Sequence, residues 1–292
     1  VCDHDQSSAC RVKLGKYKEK VVGAMNGIRI GFIGGGNMAT AIIQGIILKQ
    51  FVPKENLYVF DVSEERCKYF QEQGITIAKN SVDLADHCDY IFLAVKPQVV
   101  ESVLTELKGH IDDHHVVISI AAGISDTYIK AALDFDCKVV LVMPNTPLLI
   151  GCGASALAKI PPVTDTEFQL VFDIFSSVGK AVVIPKEKMN EIIPVNGSSP
   201  AFIYLLAKIV ADYADSLGID RETANTLFCQ TLIGSAQMML QSGKSQDELI
   251  RMVCSPGGTT LKLVDTLNEK DWKGILEEAM KRCIDRAYEL GK

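Results

Sequence analysis

A glycine-rich segment near the start of the chain has the residue types that a bound pyrophosphate requires. Gly34, Gly36 and Ala39 form a G-x-G-x-x-A pattern that follows an apolar run and precedes a helical pattern. In such a turn the first glycine allows a tight bend, the second lets phosphate approach the backbone, and the alanine packs the helix on the strand. The segment predicts a nicotinamide or flavin cofactor, held by Gly34, Gly36, Asn37, Met38 and Ala39.

Three further polar segments could do chemistry. AVKP at 94–97 and MPNTP at 143–147 each follow an apolar strand candidate, at the sheet edge where open α/β folds bind ligands. Taken alone, the first is typical of a solvated loop lysine and the second of a turn. SPGGTT at 255–260 precedes a helical pattern, where its backbone N–H groups suit a carboxylate or another small anion. A simple helix cap explains that segment equally well.

The elements that must position these residues fall into two groups. Apolar strand candidates alternate with helical patterns from residue 28 to about 185, and only helical patterns follow. We therefore predict an α/β fold with a Rossmann-type, doubly wound, mostly parallel sheet and a second, all-helical dimerisation domain. Later strands are predicted at 57–61, 90–95, 116–120, 138–143 and 180–184. Helices are predicted at 199–217, 221–242, 246–254, 259–268 and 272–290.

The predicted domains follow from this change of pattern. They are an N-terminal extension over 1–25, of natural or recombinant origin, a dinucleotide-binding domain over 26–186, and a helical substrate and dimerisation domain over 187–292. The helical patterns over 199–242 are apolar on more than one face. Packing against a second subunit and packing in an internal helical core account for this equally well.

Composition narrows the class of protein. A net charge of −6 without a basic stripe argues against a nucleic-acid partner. The nine cysteines lack paired spacing, which predicts reduced thiols, no disulfide framework and no metal site. No apolar run reaches the roughly 18 to 20 residues that cross a bilayer. These features predict a cytoplasmic enzyme without a membrane partner.

Five segments, in this order and spacing, resemble the pyrroline-5-carboxylate reductase family: IGFIGGGNMA, FLAVKP, MPNTP, NGSSPAF and SPGGTT. The resemblance runs from about Gly27 to Tyr288. It implies NAD(P)H-dependent reduction of the cyclic imine 1-pyrroline-5-carboxylate to L-proline, the last step of proline biosynthesis, by a homodimer that can assemble into decamers. The family usually reads SGSGPA where this chain reads NGSSPA, so that Asn196 and Ser199 replace a serine and a glycine.

The resemblance and the reaction together imply roles for the SPGGTT residues. Thr260 would be the catalytic residue, because its hydroxyl could hydrogen-bond the imine nitrogen and relay a proton from water. The loop amides would hold the substrate carboxylate. The predicted substrate-binding residues are Ser255, Gly257, Gly258 and Thr259.

The remaining cofactor residues follow strand candidates. The resemblance implies that three of them lie near the nicotinamide end: Lys96, Asn145 and Thr146. Ala94 and Val95 are predicted to bind the cofactor as well. Asp61 ends the second strand candidate, where a carboxylate can accept both ribose hydroxyls of NADH and would repel the 2′-phosphate of NADPH. NADH should therefore be at least competitive. Ser63 and Arg66 leave the preference open, because many relatives bind NADPH through such side chains.

Two alternative functions remain. A β-hydroxyacid dehydrogenase or imine reductase of similar build typically carries a lysine six positions after the first glycine of a GSGxAxK helix start, where this chain has Ile203. The other alternative is a non-catalytic dinucleotide-binding regulator. SPGGTT argues against it, because a sensor has no evident need for a carboxylate cradle beside a threonine.

Overall fold

A computed structural model of the protein describes residues 27–291. The predicted N-terminal extension over 1–25 lies outside the described residues. Contacts divide the described chain into two compact units, the first formed by 27–197 with 284–291 and the second by Ser198–Cys283. The boundary predicted between residues 186 and 187 follows the change in sequence pattern and stays a prediction.

The first unit is built on one eight-stranded sheet. Its strands are β1 Ile30–Ile33, β2 Leu57–Phe60, β3 Thr76–Ile77, β4 Tyr90–Leu93, β5 Val116–Ser119, β6 Lys138–Met143, β7 Gly153–Ile160 and β8 Gly179–Val183. Their order is β3-β2-β1-β4-β5-β6-β7-β8, and every neighbouring pair is parallel except β6 with β7. The predicted mostly parallel, doubly wound sheet is confirmed, and the strand order reverses direction at β1 and β4.

The described part of this unit contains six helices. They are α1 Asn37–Lys49, α2 Glu64–Gln71, α3 Ser81–Ala85, α4 Pro97–Leu107, α5 Asp126–Leu133 and α6 Asp165–Ser177. α1 packs against α6, and α4 packs against both α3 and α5. Under the first pair, the rings of Phe32 and Phe92 stack with centroids 4.4 Å apart, and Phe175 of α6 covers them. This buried aromatic layer fixes α1, whose first residues follow the glycine turn.

The sequence does not predict β7 or the two-residue β3. β7 reads GASALAKI, in which small residues of low strand propensity hide the alternation. It reverses direction after β6 through a single 3-10 turn, Thr146–Ile150, which ends at Gly151 with φ of +72°. β7 forms a strand because its backbone pairs with β6 on one side and with β8 on the other.

The second unit is helical, as predicted. Its helices are α7 Ser199–Ser216, α8 Arg221–Gln241, α9 Gln246–Val253, α10 Thr259–Glu269 and α11 Trp272–Leu290, the last of which ends within the first unit. All five agree with the predicted helices to within one residue at each end. Their starts are fixed by local caps, since Asp220 accepts the N–H of Thr223 and Ser245 forms a capping box with Glu248.

Large apolar side chains of α7 and α8 are exposed in the single chain, among them Leu205, Ile209, Tyr213, Leu227, Ile233 and Leu240. An internal helical core would bury these side chains. The structure therefore favours a second subunit over an internal core as their cover. Among the helices that the structure describes, none is long and apolar enough to span a membrane.

Candidate functional site

The glycine turn after β1 leaves room for a phosphate. Gly34 has φ of +100°, and a Cβ there would lie 2.6 Å from the carbonyl oxygen of Ala94, so only glycine fits. Gly36 is exposed and caps α1, and a Cβ there would meet no atom within 4 Å. Open space beside the first N–H groups of α1 matches the need of a pyrophosphate. Asn37 is exposed as well, while Met38 is half-buried and Ala39 is buried.

Asp61 is tied to the glycine turn. Its Oδ2 accepts the N–H of Gly35 at 2.6 Å, and its Oδ1 accepts the N–H of Ser63 at 2.8 Å. The carboxylate therefore joins the end of β2 to the turn after β1. A ribose would have to share this carboxylate with two backbone donors.

Arg66 covers the same turn from α2. Its Nε donates to the carbonyl oxygen of Gly35 at 2.6 Å, and its guanidinium lies 4.8 Å from the ring centre of Tyr69. A second nitrogen donates to the hydroxyl of Thr40. Arg66 thus places a positive charge at the glycine turn that Asp61 also contacts, and an arginine at this turn can accommodate a 2′-phosphate.

The other predicted cofactor residues stand at the same sheet edge. Ala94 and Val95 follow β4 and are half-buried, and Lys96 is exposed at the start of α4. Thr146 is exposed after β6, but Asn145 is buried. Both polar atoms of the Asn145 side chain form hydrogen bonds within the protein. Oδ1 accepts the N–H of Ala154, and Nδ2 donates to the carbonyl oxygen of Asn196. From the sequence, Asn196 is identified only as a departure from the family pattern, and its hydrogen bond with Asn145 is not predicted.

In the second unit, residues 255–258 form a tight turn. The N–H of Gly258 donates to the carbonyl oxygen of Ser255 at 3.0 Å, with Pro256 and Gly257 between them. Gly257 has φ of +71°, which is the conformation that the third residue of a type II turn needs. The Gly258 amide, expected as a carboxylate donor, closes this turn instead. The N–H groups of Gly257 and Thr259 are the better placed donors of the loop.

Thr260 follows this turn on the first turn of α10. Gly258 is the N-cap of α10, and no side chain caps the helix. The structure therefore does not support the helix-cap explanation of the Thr260 hydroxyl. Thr260 lines a groove of about 690 Å³ among α8, α9 and α10, whose other walls are mainly apolar, as with Met238, Ile250 and Val264.

The described histidines lie in other segments. Asp112, His114 and His115, between α4 and β5, bring their potential ligand atoms within 4.8 Å of one another. His115 is buried, with Nε2 at 3.1 Å from the carbonyl oxygen of Ala85 and Nδ1 at 2.9 Å from Oδ1 of Asp112. Both ring nitrogens therefore serve the fold.

Comparison with known proteins finds two matching families. The family described as pyrroline-5-carboxylate reductase dimerisation matches residues 186–290. The family described as NADP oxidoreductase, coenzyme F420-dependent, matches residues 29–123. The first match covers the helices whose apolar faces are exposed, and the second covers the glycine turn.

Relatives match along almost the whole chain. The pyrroline-5-carboxylate reductase of Methanosarcina acetivorans is 38% identical over 269 residues, which cover 92% of this chain and 100% of the relative. That of Escherichia coli is 36% identical over 265 residues, covering 90% and 98%. The crystal structure of the Plasmodium falciparum pyrroline carboxylate reductase with NADP bound superposes with a TM-score of 0.84 at 30% identity, covering 92% of this chain and 100% of that chain.

Proposed function

Because the chain belongs to the pyrroline-5-carboxylate reductase family, we propose that it reduces 1-pyrroline-5-carboxylate to L-proline with NAD(P)H, the last step of proline biosynthesis. One observation carries this proposal. The similarity to named reductases covers both units, and so includes the glycine turn at 34–39 and the SPGGTT segment at 255–260. A regulator that only binds dinucleotide would need the first segment alone.

The residues of the first unit fit a dinucleotide. The open space at Gly36 can take the pyrophosphate, and Gly34 has the positive φ that the tight turn before it requires. When bound, NAD(P)H supplies a hydride to the imine carbon. Lys96 and Thr146, exposed at the carboxyl edge of the sheet, are proposed to lie near the nicotinamide.

The residues of the second unit are proposed to hold the substrate. The N–H groups of Gly257 and Thr259 would bind its carboxylate, and Ser255 would add a hydroxyl beside them. The Thr260 hydroxyl would donate to the ring nitrogen and orient the imine, with water as the proton source. A threonine hydroxyl has a high pKa, so orientation is its main contribution.

Assembly and location are part of the proposal. The helical domain belongs to a dimerisation family, and the exposed apolar faces of α7 and α8 support a homodimer. We propose further assembly to a decamer, a cytoplasmic location, and no nucleic-acid or membrane partner. The acidic net charge of −6 supports the absence of a nucleic-acid partner.

The direct test follows the oxidation of NADH and of NADPH by the full chain. 1-Pyrroline-5-carboxylate is expected to be turned over, and a panel of β-keto acids is not. Turnover of β-keto acids alone would identify a β-hydroxyacid dehydrogenase. Cofactor binding without any turnover would identify a regulator.

A matched glycine pair tests the cofactor site separately. Gly34→Ala should abolish NADPH binding, because its Cβ would meet the Ala94 carbonyl at 2.6 Å. Gly109→Ala should bind NADPH normally, because Gly109 also has a positive φ, +83°, but has open space around it. Fluorescence titration with NADPH measures both. Equal loss of binding in the two variants would point to backbone strain rather than to the turn.

A further inference from the structure

Two asparagine side chains join three separate segments of the first unit. Asn145 Oδ1 accepts the N–H of Ala154 at 2.8 Å, and Asn145 Nδ2 donates to the carbonyl oxygen of Asn196 at 3.1 Å. In return, Asn196 Nδ2 donates to the carbonyl oxygens of Met143 at 2.8 Å and Ala154 at 3.0 Å. We call Asn145 and Asn196 the amide clamp. It holds the end of β6, the start of β7 and the last residues before the second unit.

An amide suits position 196 because one nitrogen carries two hydrogens. Those two hydrogens satisfy two carbonyls from different segments, whereas a serine hydroxyl has a single hydrogen to donate. Asn196 Oδ1 is buried and has no hydrogen-bond partner among the described residues. A buried acceptor without a partner is unfavourable, so the contribution of this side chain comes from its two donors.

The clamp lies where the cofactor end of the site is proposed. Met143 ends β6, and ligands of open α/β sheets bind outside the carboxyl ends of the strands. Close packing supports the same segment, since a Cβ at Gly197 would lie 3.0 Å from the sulfur of Met143. Small shifts of residues 143–146 would therefore move the exposed Thr146 at the sheet edge.

We propose that Asn196 is a positioning residue whose side chain acts through the backbone of Met143 and Ala154, beside Asn145. It fixes residues 143–146 against the nicotinamide end of the cofactor without touching cofactor or substrate itself. This inference rests on the proposed reductase function. It also assigns Asn145 a role in holding the backbone, in place of direct contact between its amide and the cofactor.

The test compares four variants of the full chain with a matched control. They are Asn145→Ala, Asn196→Ala, the double variant and Asn196→Ser, which installs the usual family residue. The control is Asn56→Ala, because Asn56 also donates its amide to a backbone carbonyl, that of Ile28 at 3.0 Å, before β1. Thermal melting, the Kd for NADPH and kcat with 1-pyrroline-5-carboxylate are measured at a temperature where every variant is folded.

Positioning predicts a specific pattern. Asn196→Ala should lower kcat at least tenfold and raise the NADPH Kd several-fold, with Asn196→Ser between it and the wild type. The double variant should have the same kcat and NADPH Kd as the more impaired single variant, because each single substitution already disrupts the amide clamp. Asn56→Ala should lower only the Tm.

Two outcomes contradict the proposals, one the clamp and the other the reductase function. If Asn196→Ala lowers the Tm but leaves kcat and the NADPH Kd within about twofold of the wild type, the clamp is only structural. If the wild type binds NADPH without reducing 1-pyrroline-5-carboxylate, the proposed function fails instead. The NADPH Kd of the variants then decides the clamp by itself, since an unchanged Kd contradicts it and a raised Kd supports it.

Discussion

The Thr260 hydroxyl does not cap α10, so its proposed catalytic role can be tested separately from a contribution to helix stability. Thr260→Ala should lower kcat by about 10²-fold, and by more than it raises KM, because the bond to the ring nitrogen strengthens as the imine becomes an amine. Thr260→Ser should retain much of the rate, since it keeps the oxygen. Steady-state kinetics with 1-pyrroline-5-carboxylate measures both.

Thr266 of the same helix provides the control for that experiment. Its Oγ1 donates to the Lys262 carbonyl at 2.7 Å, so Thr266→Ala removes a hydroxyl from α10 outside the SPGGTT segment. It should turn over substrate at the wild-type rate. If Thr260→Ala melts at a lower temperature but also keeps the wild-type rate, the catalytic assignment is wrong.

Asp61 should influence the choice between NADH and NADPH. Asp61→Ser removes the charge that would repel a 2′-phosphate and leaves Arg66 beside the turn, so kcat/KM should shift toward NADPH. The ratio of kcat/KM for the two cofactors measures this, with Glu64→Ser as an exposed acidic control. A strong NADPH preference that Asp61→Ser leaves unchanged would show that Asp61 is not the selector.

At the residue scale, the sequence predicts the features that depend on the pattern within a single segment. The glycine turn could be predicted, because the roles of Gly34 and Gly36 depend on spacing within one segment. The clamp could not be, because the partners of the Asn196 amide, Met143 and Ala154, lie 53 and 42 residues away. Nor does the sequence show that the Gly258 amide closes a turn.

At the scale of elements, Glu167 anchors the start of α6. It accepts hydrogen bonds from Lys138 at 2.6 Å and from the N–H and hydroxyl of Thr164 at 2.8 Å each. Partial burial alone would raise the pKa of the Glu167 carboxyl, but the bonds from Lys138 and Thr164 outweigh it and hold that pKa below its usual value. The stabilisation is therefore complete above the unfolded pKa of about 4.3, and is lost as the pH falls through the lower folded value.

Glu167→Gln should consequently destabilise the protein in a pH-dependent way. We expect the free energy of unfolding to fall by about 2 kcal/mol at pH 7, because hydrogen bonds to a charged group are lost. The difference from the wild type should be smaller at pH 3.5 than at pH 7, because the stabilisation by the charged carboxyl declines once the pH is below the unfolded pKa. Urea unfolding checks this against Glu106→Gln, an exposed glutamate of α4. An equal loss at both pH values would exclude the charge as the cause.

Local signals also explain which elements could be predicted. The helices of the second unit agree with prediction because their caps, such as Asp220 and the Ser245–Glu248 box, are within three residues of the helix start. β7 depends on two neighbouring strands instead, and its own residues carry little strand signal.

At the scale of the whole molecule, the exposed apolar face of the helical unit predicts a dimer. Leu227 on α8 is 65% exposed in the single chain, and Leu227→Asp should convert the dimer to a monomer at micromolar concentration. Leu48→Asp in α1, where the leucine is 78% exposed, should leave the mass unchanged. Light scattering distinguishes them. A wild-type chain that is already monomeric would refute a shared helical core.

The exposed apolar face of α7 and α8 is proposed to pair two chains, so the thermal stability of the protein should depend on its concentration. If unfolding separates two chains, the unfolded state gains from dilution, and each tenfold dilution lowers the stability of the dimer by about 1.4 kcal/mol. The Tm should therefore rise with protein concentration, as it does not for a monomer. How well this protein withstands heat is then set by its abundance as well as by its own contacts.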